Sequence, residues 1–341
     1  MFSVENLYYI LYCNLFKRIN ADIEYFWKFG SIKMEDLRVN FHDQGKDRNL
    51  KYTCAFFYDQ EPVQLAVLNE RNSIKEKLVP SGPKWWTINH ILITSEHSDL
   101  VNQYCNEKSV YHLYYFFHGF ACLHWFRDAA YFEKNIPEFD NKFLSFNRIC
   151  TSDRSYRLLF VSELIKRNIL DQGKISLQLI KNNKNVVKEE IFSQNCRLSK
   201  TAKKQVFTVL GKHTDNFIID KTDVLGSASA ELGYLEYNTW QKSFLHIVSE
   251  TVFFDQKLHL TEKIFKPIVS QRPFILLGAY KNLEYLKSYG FKTFDKWIDE
   301  SYDNEPDNEK RLSMACDQIE KIANLSQDKI KALYWDMQTV L

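Results

Sequence analysis

The sequence has no hydrophobic run long enough to span a bilayer. Leu7 to Phe16 is the most apolar part of its beginning, but Asn14 interrupts it and Lys17 and Arg18 follow, which suits an amphipathic helix rather than a secretory leader. A cytoplasmic protein is the expectation. Excess charge is also lacking. Lys and Arg number 45 against 43 Asp and Glu, a net charge of +2, which excludes a strong general attraction to nucleic acid or membrane and leaves room only for a local basic groove. Ten Gly and seven Pro among 341 residues argue against a disordered or low-complexity chain, and no internal repeat is present. The seven cysteines are odd in number, scattered and without a CxxC pair, so they offer no zinc site and suit a reducing compartment. GxGxxG, a Walker loop, GxSxG and HExxH are all missing, which weakens dehydrogenase, NTPase, hydrolase and metalloprotease readings.

What is abundant is aromatic side chain, with 26 Phe, 19 Tyr and 7 Trp, in a chain long enough for two domains with separate cores. Val4, Leu7, Tyr8, Leu11, Leu15 and Ile19 recur at helical spacing and predict a helix over 4–19. Residues 38–52 read as a polar loop. The run Thr53 to Tyr58 predicts a buried strand that ends in Asp59, Gln60, Glu61 and Pro62; these fit either a solvated turn or the ligand-facing end of a strand. Strands are also expected at 88–95, leading to Glu96-His97-Ser98, and at 110–117, ending at His118. His97 and His118 are candidate acceptor-side groups, although a single His at such a place is more often structural. Phe120 to Phe132 predicts a helix, and the polar stretch 134–141 a boundary between domains 1–140 and 141–341.

Beyond that boundary the pattern predicts a strand at 142–146, a helix from Ser152-Asp153 to about Ile169 stopped by Asp171-Gln172-Gly173, and a strand at 175–180, which together imply a parallel sheet. Arg148, Arg154 and Arg157 gather at the first strand-to-helix turn, where they can meet an anion or be surface charge. The lysine-rich stretch 181–215 reads as a solvated face, and a helix is expected over 228–241.

The stretch from Phe244 to Phe274 concentrates the chemistry. Phe244 to Val248 is an apolar strand ending at Ser249, Glu250 and Thr251; Thr261 then caps a helix that carries Glu262, Lys263, Lys266 and Pro267; Phe274 to Leu277 is the next strand. A helix N-terminus beside a cation attracts phosphate. A short helix after Gly278 stopped by Gly290, a small strand at 291–294, an acidic loop of capping residues at 299–303 and helices at 308–323 and 327–340 complete the chain.

Glu250 followed eleven residues on by Thr261-Glu262-Lys263, and then by a hydrophobic strand, resembles the donor-binding motif of α1,3-fucosyltransferase-like glycosyltransferases. Asp59 to Pro62, Phe146 to Arg148 and Gly290 to Phe294 are similar to stretches of viral and bacterial glycosyltransferase-like proteins. Ser249-Glu250-Thr251 stands where the fucosyltransferase pattern has Glu-Asn-Ser.

The resemblance implies an α/β, GT-B-like fold of two Rossmann-like domains facing a cleft, and an inverting transfer of a sugar from a nucleotide-sugar to a glycan hydroxyl. It implies no tightly bound cofactor and no required divalent metal. Lys263 would meet the diphosphate, Glu262 the ribose or sugar hydroxyls and Arg148 a phosphate, with Arg157, Glu250, Thr261 and Lys266 around the same donor. An acceptor hydroxyl also needs a base, and Asp59 or Glu61 is the expected one. Two alternatives stay open. One is transfer to hydroxymethylated DNA bases, with residues 181–204 facing phosphates; the other is a non-catalytic nucleotide- or glycan-binding module.

Overall fold

A computed structural model describes residues 21–23, 37–41, 52–58, 63, 88–108, 111–114, 138–213, 215–217 and 242–340. The expected helices at 4–19, 120–132 and 228–241, together with Asp59, Glu61 and His118, lie outside the described residues. The chain divides into two compact units, Met1–His124 and Trp125–Leu341.

The first unit holds a five-stranded sheet in sequential order: β1 (Ala21–Ile23), β2 (Leu37–Phe41), β3 (Tyr52–Tyr58), β4 (Ile88–Thr94) and β5 (Tyr111–Tyr114). β1, β2 and β3 pair antiparallel, whereas β3, β4 and β5 pair parallel. Helix α1 (Asp99–Lys108) makes the crossover from β4 to β5. The expected loop at 38–52 is therefore a strand over its first residues. Leu37, Val39 and Phe41 alternate with Arg38 and Asn40, the period-two signature that a count of polar residues hides.

The second unit is built on an entirely parallel four-stranded sheet in the order β11-β10-β6-β7, with β6 at Asn141–Asn147, β7 at Gly173–Leu177, β10 at Ser243–Ser249 and β11 at Phe274–Leu277. Helix α2 (Tyr156–Lys166) links β6 to β7, after a 3₁₀ turn at Ser152–Arg154. Its residues from Tyr156 to Ser162 are all buried, because it packs on the sheet and beneath two further helices.

β10 is buried at every position, as a strand flanked and covered on both faces must be, and its apolar run was readable for that reason. Phe143, Phe244, Leu245 and Ile275 have no exposed surface, and full burial of each such side chain contributes about 1.5–3 kcal/mol. Gly173 lies opposite Phe143, and a β-carbon there would overlap the Phe143 ring. Gly173 thus serves close packing, while the helix it was expected to stop ends earlier. α2 closes at Lys166, and Asn168 takes the left-handed turn at φ 56°.

The lysine-rich stretch presents the expected solvated face, with Lys181, Lys184, Lys188, Lys200 and Lys204 exposed, but on elements that the charge run does not announce. After a small hairpin of β8 (Ile180–Lys181) and β9 (Lys184–Asn185) it forms α3 (Val186–Phe192) and α4 (Lys200–Leu210). Asn185 and Ser199 cap them through the backbone N–H groups of Lys188 and Ala202. Ala202, Val206 and Leu210 form the buried stripe of α4, and Lys200 and Lys204 its exposed face.

Helix α5 (Glu262–Val269) joins β10 to β11 and includes Pro267, which has no N–H to return to the helix. α6 (Asn282–Ser288) ends near Gly290 at φ 87°. Residues 291–294, expected as a strand, are irregular. The Phe294 N–H bonds the Glu300 carboxylate at 2.8 Å instead of a neighbouring strand, and the ring packs edge-on against Phe274. Asp299 caps a 3₁₀ turn at Glu300–Asn304, and α7 (Asn308–Ala323) and α8 (Gln327–Asp336) follow. No helix among the described residues is long and apolar enough to cross a membrane.

Candidate functional site

The strand order places the topological switch of the second unit between β6 and β10. From β6 the chain moves outward to β7; it then returns to β10 on the other side and moves outward again to β11. Connections leaving neighbouring parallel strands in opposite directions open a crevice at their carboxyl ends, which is where open α/β sheets hold ligands. The register pairs Ser243 with Asn141 and Leu245 with Phe143, and its continuation sets Asn147 beside Ser249 at that edge.

Small polar side chains line the β6 end. Ser145 Oγ donates to the Ile247 carbonyl at 3.0 Å, and Asn147 Nδ2 donates to Ser145 Oγ at 3.0 Å. Asn147 is fully buried, and its Oδ1 has no hydrogen-bond partner among the described residues. Arg148, the next residue, is exposed.

The first turn of α2 fastens both strand ends. Arg157 donates to the Ile149 carbonyl at 2.8 Å, the Ser249 carbonyl at 2.7 Å and the Glu250 carbonyl at 3.2 Å. Tyr156 donates to the Glu250 carbonyl at 2.6 Å and stacks on Phe253 at 4.0 Å, whose carbonyl accepts from Arg311 at 2.7 Å. Arg157 is only 4% exposed and its guanidinium is engaged with main-chain carbonyls, so its work in this structure is to hold the rim together. Tyr156 and Arg311 were invisible as rim residues in the sequence, because nothing in their spacing says which carbonyls they meet.

On the β10 side Glu250 is fully buried. One carboxylate oxygen accepts the Thr261 N–H at 3.2 Å; the other accepts the Thr261 hydroxyl at 2.6 Å and the Thr251 N–H at 3.1 Å. Burial pushes the Glu250 carboxyl above its usual range, opposed by Lys263 and the Thr261 hydrogen bond. Thr261 caps α5 by accepting from the Lys263 N–H. The Lys263 ammonium lies 3.0 Å from Thr261 Oγ1, 3.2 Å from Thr251 Oγ1 and 3.1 Å from Glu262 Oε1, with 31% of its side chain exposed. All three of its N–H donors therefore have an internal acceptor, and one of these is itself an anion. Lys266, one turn further, is half-buried.

Thr261, Glu262 and Lys263 thus meet Glu250 and Thr251 in one cluster at the N-terminus of α5. Beside it, Arg197 pairs with Asp255 at 2.6 Å and Asp153 at 3.4 Å, and its guanidinium lies over the Phe254 ring, which ties the loop after β10 to the turn after β6.

In the first unit, His97 lies just past the carboxyl end of β4. It is exposed on one side and stacks on Tyr114 at 3.9 Å, and desolvation of the stacked ring lowers its pKa toward the neutral imidazole. The neighbouring Glu96 is fully buried and accepts from the Val63 N–H and the Ser98 hydroxyl, each at 2.7 Å. That bond anchors the chain just after Pro62 to the end of β4. No group of three or more His, Cys, Asp or Glu that could hold a metal ion occurs among the described residues.

Comparison of the chain with protein-family models, with curated proteins and with solved structures finds no match.

Proposed function

We propose that this protein is an inverting glycosyltransferase of GT-B architecture, which takes a nucleotide-sugar onto the β6/β10 edge of the second unit and passes the sugar to a hydroxyl, most simply one on a glycan. The observation that carries the reading is Lys263, held at the capped N-terminus of α5 beside the switch point of a parallel sheet.

The chemistry follows from charge. As the glycosidic bond breaks, negative charge collects on the leaving diphosphate, and a fixed ammonium together with the N–H groups of a helix start stabilises it. Glu262 stands next to Lys263, within reach of hydroxyl groups on the same ligand, and the exposed Arg148 can add a second cation from the β6 side. The acceptor hydroxyl must lose its proton, a role that Asp59 or Glu61 fits by residue type, with His97 as an additional neutral base on the same unit.

A panel of UDP-, GDP-, CMP- and dTDP-sugars screened for thermal stabilisation tests the reading. A ligand present at 100 times its Kd stabilises by about 2.7 kcal/mol, so one donor class is expected to raise the melting temperature clearly. Absence of any shift across the panel would sink the proposal. Stabilisation without transfer to any acceptor would favour a nucleotide-binding module instead.

A further inference from the structure

We infer that Glu250 is a positioning residue that acts on the ligand chiefly through Thr261, by fixing the direction in which the Thr261 hydroxyl donates. The inference rests on the reading of Lys263 as the diphosphate contact. Glu250 has no exposed surface, and three hydrogen-bond donors of its own chain converge on its two oxygens. It therefore does not touch a bound molecule.

Its effect lies one bond further out. Because the Thr261 hydroxyl spends its single hydrogen on Glu250, both of its lone pairs face away, and there they accept the Lys263 N–H at 3.4 Å and the Lys263 ammonium at 3.0 Å. A carboxylate at 250 thus makes Thr261 an obligate acceptor toward Lys263. An amide at 250 cannot meet all three donors: with its oxygen toward the Thr261 hydroxyl and the Thr251 N–H its NH2 opposes the Thr261 N–H, and turned round it opposes the Thr251 N–H and reverses the Thr261 hydroxyl toward the ammonium. The shape of the site would persist while the aim of Lys263 would be lost.

The test is a double-mutant cycle on the full chain, read as the Kd for inorganic pyrophosphate and for nucleoside diphosphates by titration calorimetry. Glu250→Gln and Thr261→Val are each expected to weaken binding about tenfold, the equivalent of about 1.4 kcal/mol, and the double variant also about tenfold instead of a hundredfold, because both remove the same relay. Thr261→Ser, which keeps the hydroxyl, is expected to bind within about twofold of the parent chain.

Additive losses would show that Glu250 and Thr261 act independently and would overturn the inference. So would a Glu250→Gln variant that binds as tightly as the parent while Lys263→Met does not bind. Should Glu250→Gln fail to fold, the contrast between Thr261→Val and Thr261→Ser decides alone, and equal affinities of those two would overturn the relay. If the parent chain binds neither pyrophosphate nor any nucleoside diphosphate, the donor-site reading itself falls, and the inference with it.

Discussion

Arg157, on the first turn of α2, reaches the carbonyl of Ser249 at the end of β10, 92 residues away in sequence, with a 2.7 Å hydrogen bond. The same guanidinium also holds the Ile149 and Glu250 carbonyls, so the two strands that flank the switch point are joined by one side chain. Substitution by Met would take this donor from the Ser249 and Ile149 carbonyls, while the Glu250 carbonyl keeps the Tyr156 hydroxyl, at about 1–3 kcal/mol for each buried group left unpaired. Arg157→Met is expected to lower the unfolding free energy by about 3 kcal/mol in urea titrations. Arg157→Lys should recover little of it, since a compact ammonium lacks the planar, widely spaced donors with which the guanidinium reaches carbonyls on both strands. A variant as stable as the parent would show that the clasp is idle.

Asp303 supplies the cap that α6 lacks in its own sequence. Lys281, at the cap position, is left-handed at φ 65° and offers no side-chain bond, whereas the Asp303 carboxylate accepts from Leu283 N at 2.9 Å and Glu284 N at 3.0 Å. Asp303→Ala should cost about 1–2 kcal/mol by thermal or denaturant unfolding, the usual loss for a helix cap. An unchanged midpoint would mean that water replaces the carboxylate without loss.

A buried carboxylate and a half-buried one give stability opposite dependences on pH. Burial raises the native pKa of Glu250 above its ordinary value of 4.5, so the folded chain holds that proton more tightly than the unfolded one. This contribution to stability falls as pH rises from the ordinary value through the native one, and is constant beyond it. Glu163 differs: burial alone would raise its pKa, but hydrogen bonds from Gln205 and Lys166 and the charges of Lys166 and Arg167 outweigh that and leave it lowered. Its stabilisation is complete above the ordinary value and is lost as pH falls through the native one. Unfolding free energies measured between about pH 3 and 8 should therefore decline less at the upper end in Glu250→Gln, and less at the lower end in Glu163→Gln, than in the parent. Parallel curves for parent and variants would contradict these assignments.

Glu262 occupies the third donor of Lys263. Glu262→Gln removes a competing anion, and is expected to tighten binding of bare pyrophosphate several-fold, since a partly exposed ion pair is worth up to about 1 kcal/mol. If Glu262 also accepts ribose hydroxyls in the complex, the same variant should narrow the preference for nucleoside diphosphate over pyrophosphate. Weaker pyrophosphate binding in Glu262→Gln would show that the pair organises Lys263 instead of competing for it.

The ends of β10, β11 and α5 were legible because their signals are local: continuous apolar runs for strands buried on both faces, and a threonine that caps the next helix. The order of strands was legible only as far as a parallel sheet. That β6 and β10 are neighbours, which creates the switch point, depends on the long return of the chain from β7 and has no local signal. The helices α3 and α4 were hidden by their lysines, which lie on exposed faces while Val187, Val206 and Leu210 are buried. That Glu250 ends a strand and that Thr261 and Lys263 open a helix was legible from residue type and spacing, but their hydrogen bonding was not. Which oxygen receives which hydrogen is decided by burial, and burial is a property of the whole packed unit.

The close approach of Gly173 to the Phe143 ring has a consequence for how this sequence can drift. Any side chain at 173 must displace an aromatic ring from the middle of the sheet, and a smaller residue at 143 leaves a hole that glycine cannot fill. Neither position can change first without loss, so the two form a lock that opens only when both are exchanged together.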